Sequence, residues 1–170
     1  SLYKGGIAPG AHLINVRVLG AQGGGYTSDV IAGVQWTIAN RVKYGIKVVN
    51  LSLGHPQVEP CIVDPLCISV EQASAAGLVV VASAGNDSGP VESPANCAGV
   101  LAVGGLRHVG TKVGYSSLGP EIGVSAPAGN CPSTPLLCEY SLITATNAGP
   151  TVPTTSTYTD DTNDNSNIGT

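Results

Sequence analysis

Three glycine-rich stretches and one set of cysteines are the parts of this 170-residue chain whose types and spacing could do chemistry. The stretches are Gly20-Ala21-Gln22-Gly23-Gly24-Gly25, Ser52-Leu53-Gly54 and Ala84-Gly85-Asn86-Asp87. Each follows a run of β-branched or aliphatic residues, so each reads as backbone leaving a strand, where a ligand can approach closely because no Cβ intervenes. A dinucleotide site needs Gly-x-Gly-x-x-Gly with an acidic ribose ligand, and the first stretch does not fit; no phosphate-loop Lys-Ser/Thr occurs either. Read alone, Asn86 is a turn or cap residue after a strand. His12, His55 and His108 read as ordinary surface or strand-end histidines, and Asp29 as a first-turn helix carboxylate.

The five cysteines, Cys61, Cys67, Cys97, Cys131 and Cys138, have 5, 29, 33 and 6 residues between successive members. There is no Cys-x-x-Cys pair and no histidine placed to complete a zinc set, so disulfides in an exported protein are the better reading. The short loops Cys61 to Cys67 and Cys131 to Cys138 are the favoured bridges, leaving Cys97 odd, and the spacing leaves other pairings open.

The elements that must position these residues follow from periodicity. His12 to Leu19 reads as a strand closed by the Gly20–Gly25 turn. Ser28 is placed as N-cap of a helix whose Val30, Ile31, Val34, Ile38 and Val42 recur at three- and four-residue steps up to Gly45. Lys47 to Leu53 is a nearly continuous apolar run, the pattern of a strand buried on both faces. A loop from Gly54 to Pro65 precedes a helix from Leu66 to Ala76, stopped by Gly77, and then the strand Leu78 to Ser83. Val100 to Gly104 and Ile122 to Ala126 read as further strands. This order predicts an α/β fold, a parallel doubly wound sheet with flanking helices and right-handed crossovers. Residues 128 to 168 read mainly as surface loop, with a short strand at Ser141 to Ala145.

Composition excludes several classes. Charged residues are 11% of the chain and the net charge is −4, against the basic excess that nucleic-acid binding uses. No apolar run approaches the ~20 residues of a membrane-spanning helix. With 23 glycines, 12 prolines and no Met, the chain is rich in small residues and starts as if cut.

Taken together, six segments resemble the subtilases, the subtilisin-like serine endopeptidases. They are Gly6-Ile7-Ala8-Pro9-Gly10-Ala11 leading to Val16-Arg17-Val18-Leu19-Gly20, Val49-Asn50-Leu51-Ser52-Leu53-Gly54, Val79 to Asn86, Ser93-Pro94-Ala95, Tyr115 to Pro120 and Ala126-Pro127. The resemblance implies that residues 1–170 are the central part of one subtilisin-like peptidase domain, an incomplete subtilisin-like fold with 128–168 mainly a loop insertion. Asn86 matches the family's oxyanion-hole asparagine. Gly23, Gly24 and Gly25 match one substrate-binding edge, and Ser52, Leu53 and Gly54 the other. Ala82, Ser83, Ala84 and Gly85 match the wall of the primary specificity pocket, and Glu92 falls near its floor, where a carboxylate would favour Lys or Arg ahead of the scissile bond.

The family's triad Asp and His motifs lie upstream of Gly6-Ile7-Ala8-Pro9-Gly10. Gly169-Thr170 match the two residues before its nucleophile. The resemblance therefore implies a chain with no complete triad, inactive alone, whose parent is a secreted serine endopeptidase acting on polypeptides as a monomer without nucleic-acid or membrane partners. The alternative is a non-catalytic subtilisin-fold peptide-binding fragment or pseudoenzyme. No cofactor is required. Calcium is the family's stabilising ion, but neither Glu121 nor the Asp160, Asp161 and Asp164 cluster has the spacing of a calcium loop, and both read as solvated carboxylates; no metal ligand is assigned.

Overall fold

The computed structural model describes residues 7–56, 59–129, 144–147, 154 and 156–159. Among the described residues, two helices and four parallel strands carry the fold. They are α1 (Thr27–Tyr44), β1 (Val48–Leu51), α2 (Pro65–Ala75), β2 (Val79–Ser83), β3 (Val100–Leu106) and β4 (Ile122–Pro127). The strands lie side by side in chain order β1-β2-β3-β4, all parallel. A separate antiparallel pair joins β5 (Thr144–Asn147) to β6 (Ser156–Thr159). The short strand expected at Ser141 to Ala145 thus overlaps β5, and its pairing with β6 inside the expected loop was not foreseen.

Both helices end where glycine allows it. At Gly45 (φ 65°) the Gly45 N–H donates to Val42 O and the Ile46 N–H to Arg41 O. At Gly77 (φ 86°) the Gly77 and Leu78 N–H groups donate to Ser74 O and Ala73 O in the same way. This is the left-handed C-terminal motif that glycine adopts at least cost. The starts differ from expectation. Ser28 does not cap α1: Tyr26 holds the cap position, its carbonyl accepting from Asp29 N and Val30 N, with no side-chain cap. In α2 the cap is Asp64, whose Oδ1 accepts from Leu66 N at 2.8 Å, with Pro65 directly after it. Proline suits that first helical position because its missing N–H would have had no partner there.

One core joins helices and sheet. Val30 and Val34 of α1, Leu66, Cys67, Val70 and Ala73 of α2, and Leu51, Val80, Ala82 and Ala102 of the sheet are buried together. The register places Leu51, Ala82 and Ala102 in one row across three strands. Two alanines there let the helices sit close to the sheet, so a larger residue in the row would overpack the interface.

Two expectations about strands are corrected. Residues 12–19 carry no ladder hydrogen bonds; they run alongside β1 across an open cavity of about 1080 Å³ that both segments line. Leu13 is 93% exposed, so this segment lacks the packing that turns a β-prone run into a strand. Nor is β1 buried on both faces. Val48 is 56% and Val79 51% exposed, because among the described residues the helices cover one face of this edge of the sheet.

The expected Cys61–Cys67 bridge is also corrected: Cys67 is bonded to Cys97. The reason is spatial. Asp64 caps α2 and also accepts from Ser93 Oγ at 3.0 Å, which brings the Ser93–Cys97 turn against the first turn of the helix, where Cys67 sits. The expected Cys131–Cys138 bridge lies outside the described residues.

Candidate active site

The residues after β1 and β2 converge at the carboxyl ends of the parallel strands, where such sheets bind ligands. After β2 the chain passes through Ala84, Gly85 and Asn86, loops outward, and returns so that Glu92 N donates to Ala84 O at 2.9 Å. The returning strand then pairs with the exit of β1: His55 N donates to Ser93 O at 3.0 Å and Ser93 N to His55 O at 3.1 Å. These bonds set Gly54 and Gly85 on either side of the Glu92 carboxyl group.

The glycines are what make room for the carboxylate. A Cβ on Gly54 would stand 3.0 Å from Glu92 Oε2, and a Cβ on Gly85 would overlap the Glu92 carboxyl group. Gly85 also has φ 111°, a conformation that L side chains rarely adopt. Ala82 and Ala84 are fully buried, Ser83 is half-buried and Gly85 is buried, whereas Asn86 is exposed.

Burial raises the Glu92 pKa above the ordinary carboxylate value, and Asp87 adds to the rise. The Asn86 main-chain hydrogen bond and the nearby His55 oppose it. His55 Nδ1 is 2.9 Å from Pro56 O, and its Nε2 is buried without a hydrogen-bond partner in the structure.

The outward loop is anchored at its far side. Ser88 sits at φ 57°, with its N–H donating to Tyr115 O and its hydroxyl to Gly114 O, both at 2.8 Å. Ser117 N donates to Gly85 O and Leu118 N to Gly89 O, both at 2.9 Å. Asn86 is therefore carried on backbone fixed from three directions, the condition an electrostatic donor needs if it is to avoid reorganising during a reaction.

The structure brings Gly54, Ala84, Gly85, Asn86 and Glu92 together. Ser52 and Leu53 continue from β1 into the same region, Ser52 exposed and accepting a hydrogen bond from Asn50 Nδ2 at 3.0 Å. Gly23, Gly24 and Gly25 stand at the head of α1 as an exposed turn held by its own backbone, Gly20 N donating to Gly24 O and Gly23 N to Gly20 O. The sequence reading missed His55, Ser93 and Asp64 as the residues that hold the Glu92 loop. For Asp64 the signal was present, an Asp-Pro pair ahead of an apolar helical pattern.

Comparisons with known proteins show the family. The Subtilase family profile matches residues 2–167, and the chain belongs to that family. It is 36% identical over 130 residues to a thermostable alkaline protease of Halalkalibacterium halodurans, covering 76% of this chain and 34% of that protein. It is 35% identical over the same length to subtilisin Savinase of Lederbergia lenta, covering 76% of this chain and 45% of that protein. The chain thus spans less than half the length of these curated relatives. Among solved structures, it is similar to a protease of Pseudoalteromonas arctica, with TM-score 0.65 and 30% identity over 79% of this chain and 41% of the other. A cold-adapted subtilisin-like serine proteinase also matches, with TM-score 0.57 and 30% identity over 66% of this chain and 40% of that one. No helix among the described residues is long and apolar enough to cross a membrane.

Proposed function

We propose that this chain supplies the oxyanion donor and the substrate-binding edges of a secreted serine endopeptidase that cleaves polypeptides through an acyl-enzyme. The observation that carries the reading is the loop at the strand ends, its backbone bonded at Gly85 and Ser88 on either side of exposed Asn86, with Glu92 set between Gly54 and Gly85. Membership of the Subtilase family supports a peptide bond as the bond that is cut.

In this reading a serine attacks the peptide carbonyl, a histidine takes its proton, and the carbonyl oxygen becomes negative in the tetrahedral intermediate. Asn86 donates its side-chain amide to that oxygen. The donor lowers the barrier because it is already aimed where charge develops, whereas water would have to reorganise. Substrate lies extended between Gly23–Gly25 and Ser52–Gly54 and is held by main-chain hydrogen bonds, as a strand added to exposed edges. Its side chain before the scissile bond enters past Ala82, Ser83 and Ala84 toward Glu92, which favours Lys or Arg. The mechanism needs no cofactor, and a calcium ion would serve only structure.

The test is hydrolysis of short peptide amides by the full-length protein, with and without a serine-directed sulfonyl fluoride. Cleavage abolished by the reagent supports the reading. A correctly folded protein that binds the peptides without cleaving them contradicts it and favours a peptide-binding role.

A further inference from the structure

Three sulfur atoms meet behind the Glu92 loop. The Sγ atoms of Cys61, Cys67 and Cys97 all lie within 4.8 Å of one another. Two form the buried disulfide Cys67–Cys97, and the third is a thiol whose Sγ donates to Asn96 O at 3.6 Å. Each sits on a different piece of backbone. Cys61 follows Pro60 in a turn that runs into the α2 cap, Cys67 lies in the first turns of α2, and Cys97 ends the turn begun by Glu92. A thiol within reach of a disulfide is the reactant arrangement for thiol–disulfide exchange, which proceeds by thiolate attack on a disulfide sulfur.

We propose that Cys61, Cys67 and Cys97 form an exchange site in which the Cys67–Cys97 disulfide converts to Cys61–Cys67, releasing Cys97 and the Glu92 turn from α2. The step is internally balanced. Cys61 loses its proton, its thiolate attacks Cys67 Sγ, the Cys61–Cys67 bond forms and the Cys67–Cys97 bond breaks. Cys97 leaves with the bonding electron pair and takes up a proton. One thiol and one disulfide are present before and after, so no oxidant or reductant is needed. Cys97 is the leaving group because Cys61 attacks the Cys67 sulfur; the Ser93 hydroxyl, 3.9 Å from the Cys97 sulfur, stays hydrogen-bonded to Asp64 throughout.

The consequence falls on the candidate site. Asn96 N donates to Glu92 O and Cys97 N to Pro94 O, so the Glu92–Cys97 turn moves as a unit. In the Cys67–Cys97 state that turn is tied covalently to α2; after exchange the Ser93–Asp64 hydrogen bond still ties it to the α2 cap, while the His55–Ser93 bridge and the Glu92 N–Ala84 O bond hold its other side. Burial raises the Cys61 pKa, and the facing carboxylates Asp64, Glu71 and Glu121 raise it further, against a smaller opposing backbone hydrogen bond. The rate therefore climbs with pH through and beyond the ordinary thiol range.

The test uses the full-length protein, incubated without oxidant at about pH 6 and about pH 9, acid-quenched, alkylated with N-ethylmaleimide and mapped as non-reduced peptides. The expected result is a Cys61–Cys67 peptide with alkylated Cys97 that accumulates faster at the higher pH, at an unchanged thiol count, and is absent from Cys61→Ser. Alkylation of Cys61 alone at both pH values, a falling thiol count, or Cys61 bonded to Cys131 or Cys138 would overturn it. As a second readout, Cys97→Ser folded with oxidised glutathione should form Cys61–Cys67; two alkylated thiols there would also overturn it. None of these readouts uses peptidase activity, so failure here is distinguishable from failure of the proposed function.

Discussion

Glu92 lies against Gly85, its main-chain N–H bonded to Ala84 O and its carboxyl group filling the space a Gly85 side chain would need. The two positions are thus one structural unit. Gly85→Ala meets both a backbone at φ 111° and the Glu92 carboxyl, so it should lower stability by about 1–3 kcal/mol. Urea denaturation of the full-length protein measures this; an unchanged midpoint would show that Glu92 does not pack as described.

The raised Glu92 pKa has a defined pH signature. Its charged form is disfavoured in the folded protein, so its ionisation opposes folding; that cost is full above the folded pKa, shrinks as pH falls below it and is gone below the ordinary Glu value of the unfolded chain. Preference for Arg over Phe before the scissile bond should follow the charged form, growing as pH rises past a midpoint above the ordinary Glu value. The ratio of kcat/KM for matched Arg and Phe substrates across pH checks this. Glu92→Gln should flatten the ratio at every pH and leave stability at neutral pH equal or improved.

Asp64 ties the helix to the loop through two acceptors, Oδ1 for Leu66 N and Oδ2 for Ser93 Oγ. Asp64→Ala removes both and should cost about 1–3 kcal/mol, a lost cap plus a buried hydroxyl without its partner. Asp64→Asn keeps an acceptor for the cap and should lose less. Equal midpoints for the two variants in urea would contradict this division.

Much of the scaffold was legible because it depends on local chemistry. Gly45 and Gly77 announced the helix ends, and the runs at Val79 and Val100 announced strands, since the residue types needed there are needed for local reasons. The features that escaped depend on distant parts of the chain. Residues 12–19 have strand-like composition but no ladder, because a strand exists only with a partner. The Cys67–Cys97 bond crosses 30 positions, and only the meeting of Asp64 with Ser93 brings its ends together. Proximity in sequence favoured Cys61–Cys67 instead. Glu92 was placed near the pocket floor by its distance from Pro94, but its contact with both Gly54 and Gly85 needed the folded chain.

Asn86→Leu in the full-length protein reads most directly whether Asn86 stabilises negative charge in a peptidase transition state. In this variant kcat should fall about 10²- to 10³-fold while KM stays nearly constant, a magnitude already established for an oxyanion asparagine in this same family. An unchanged kcat, or a loss confined to KM, would contradict it.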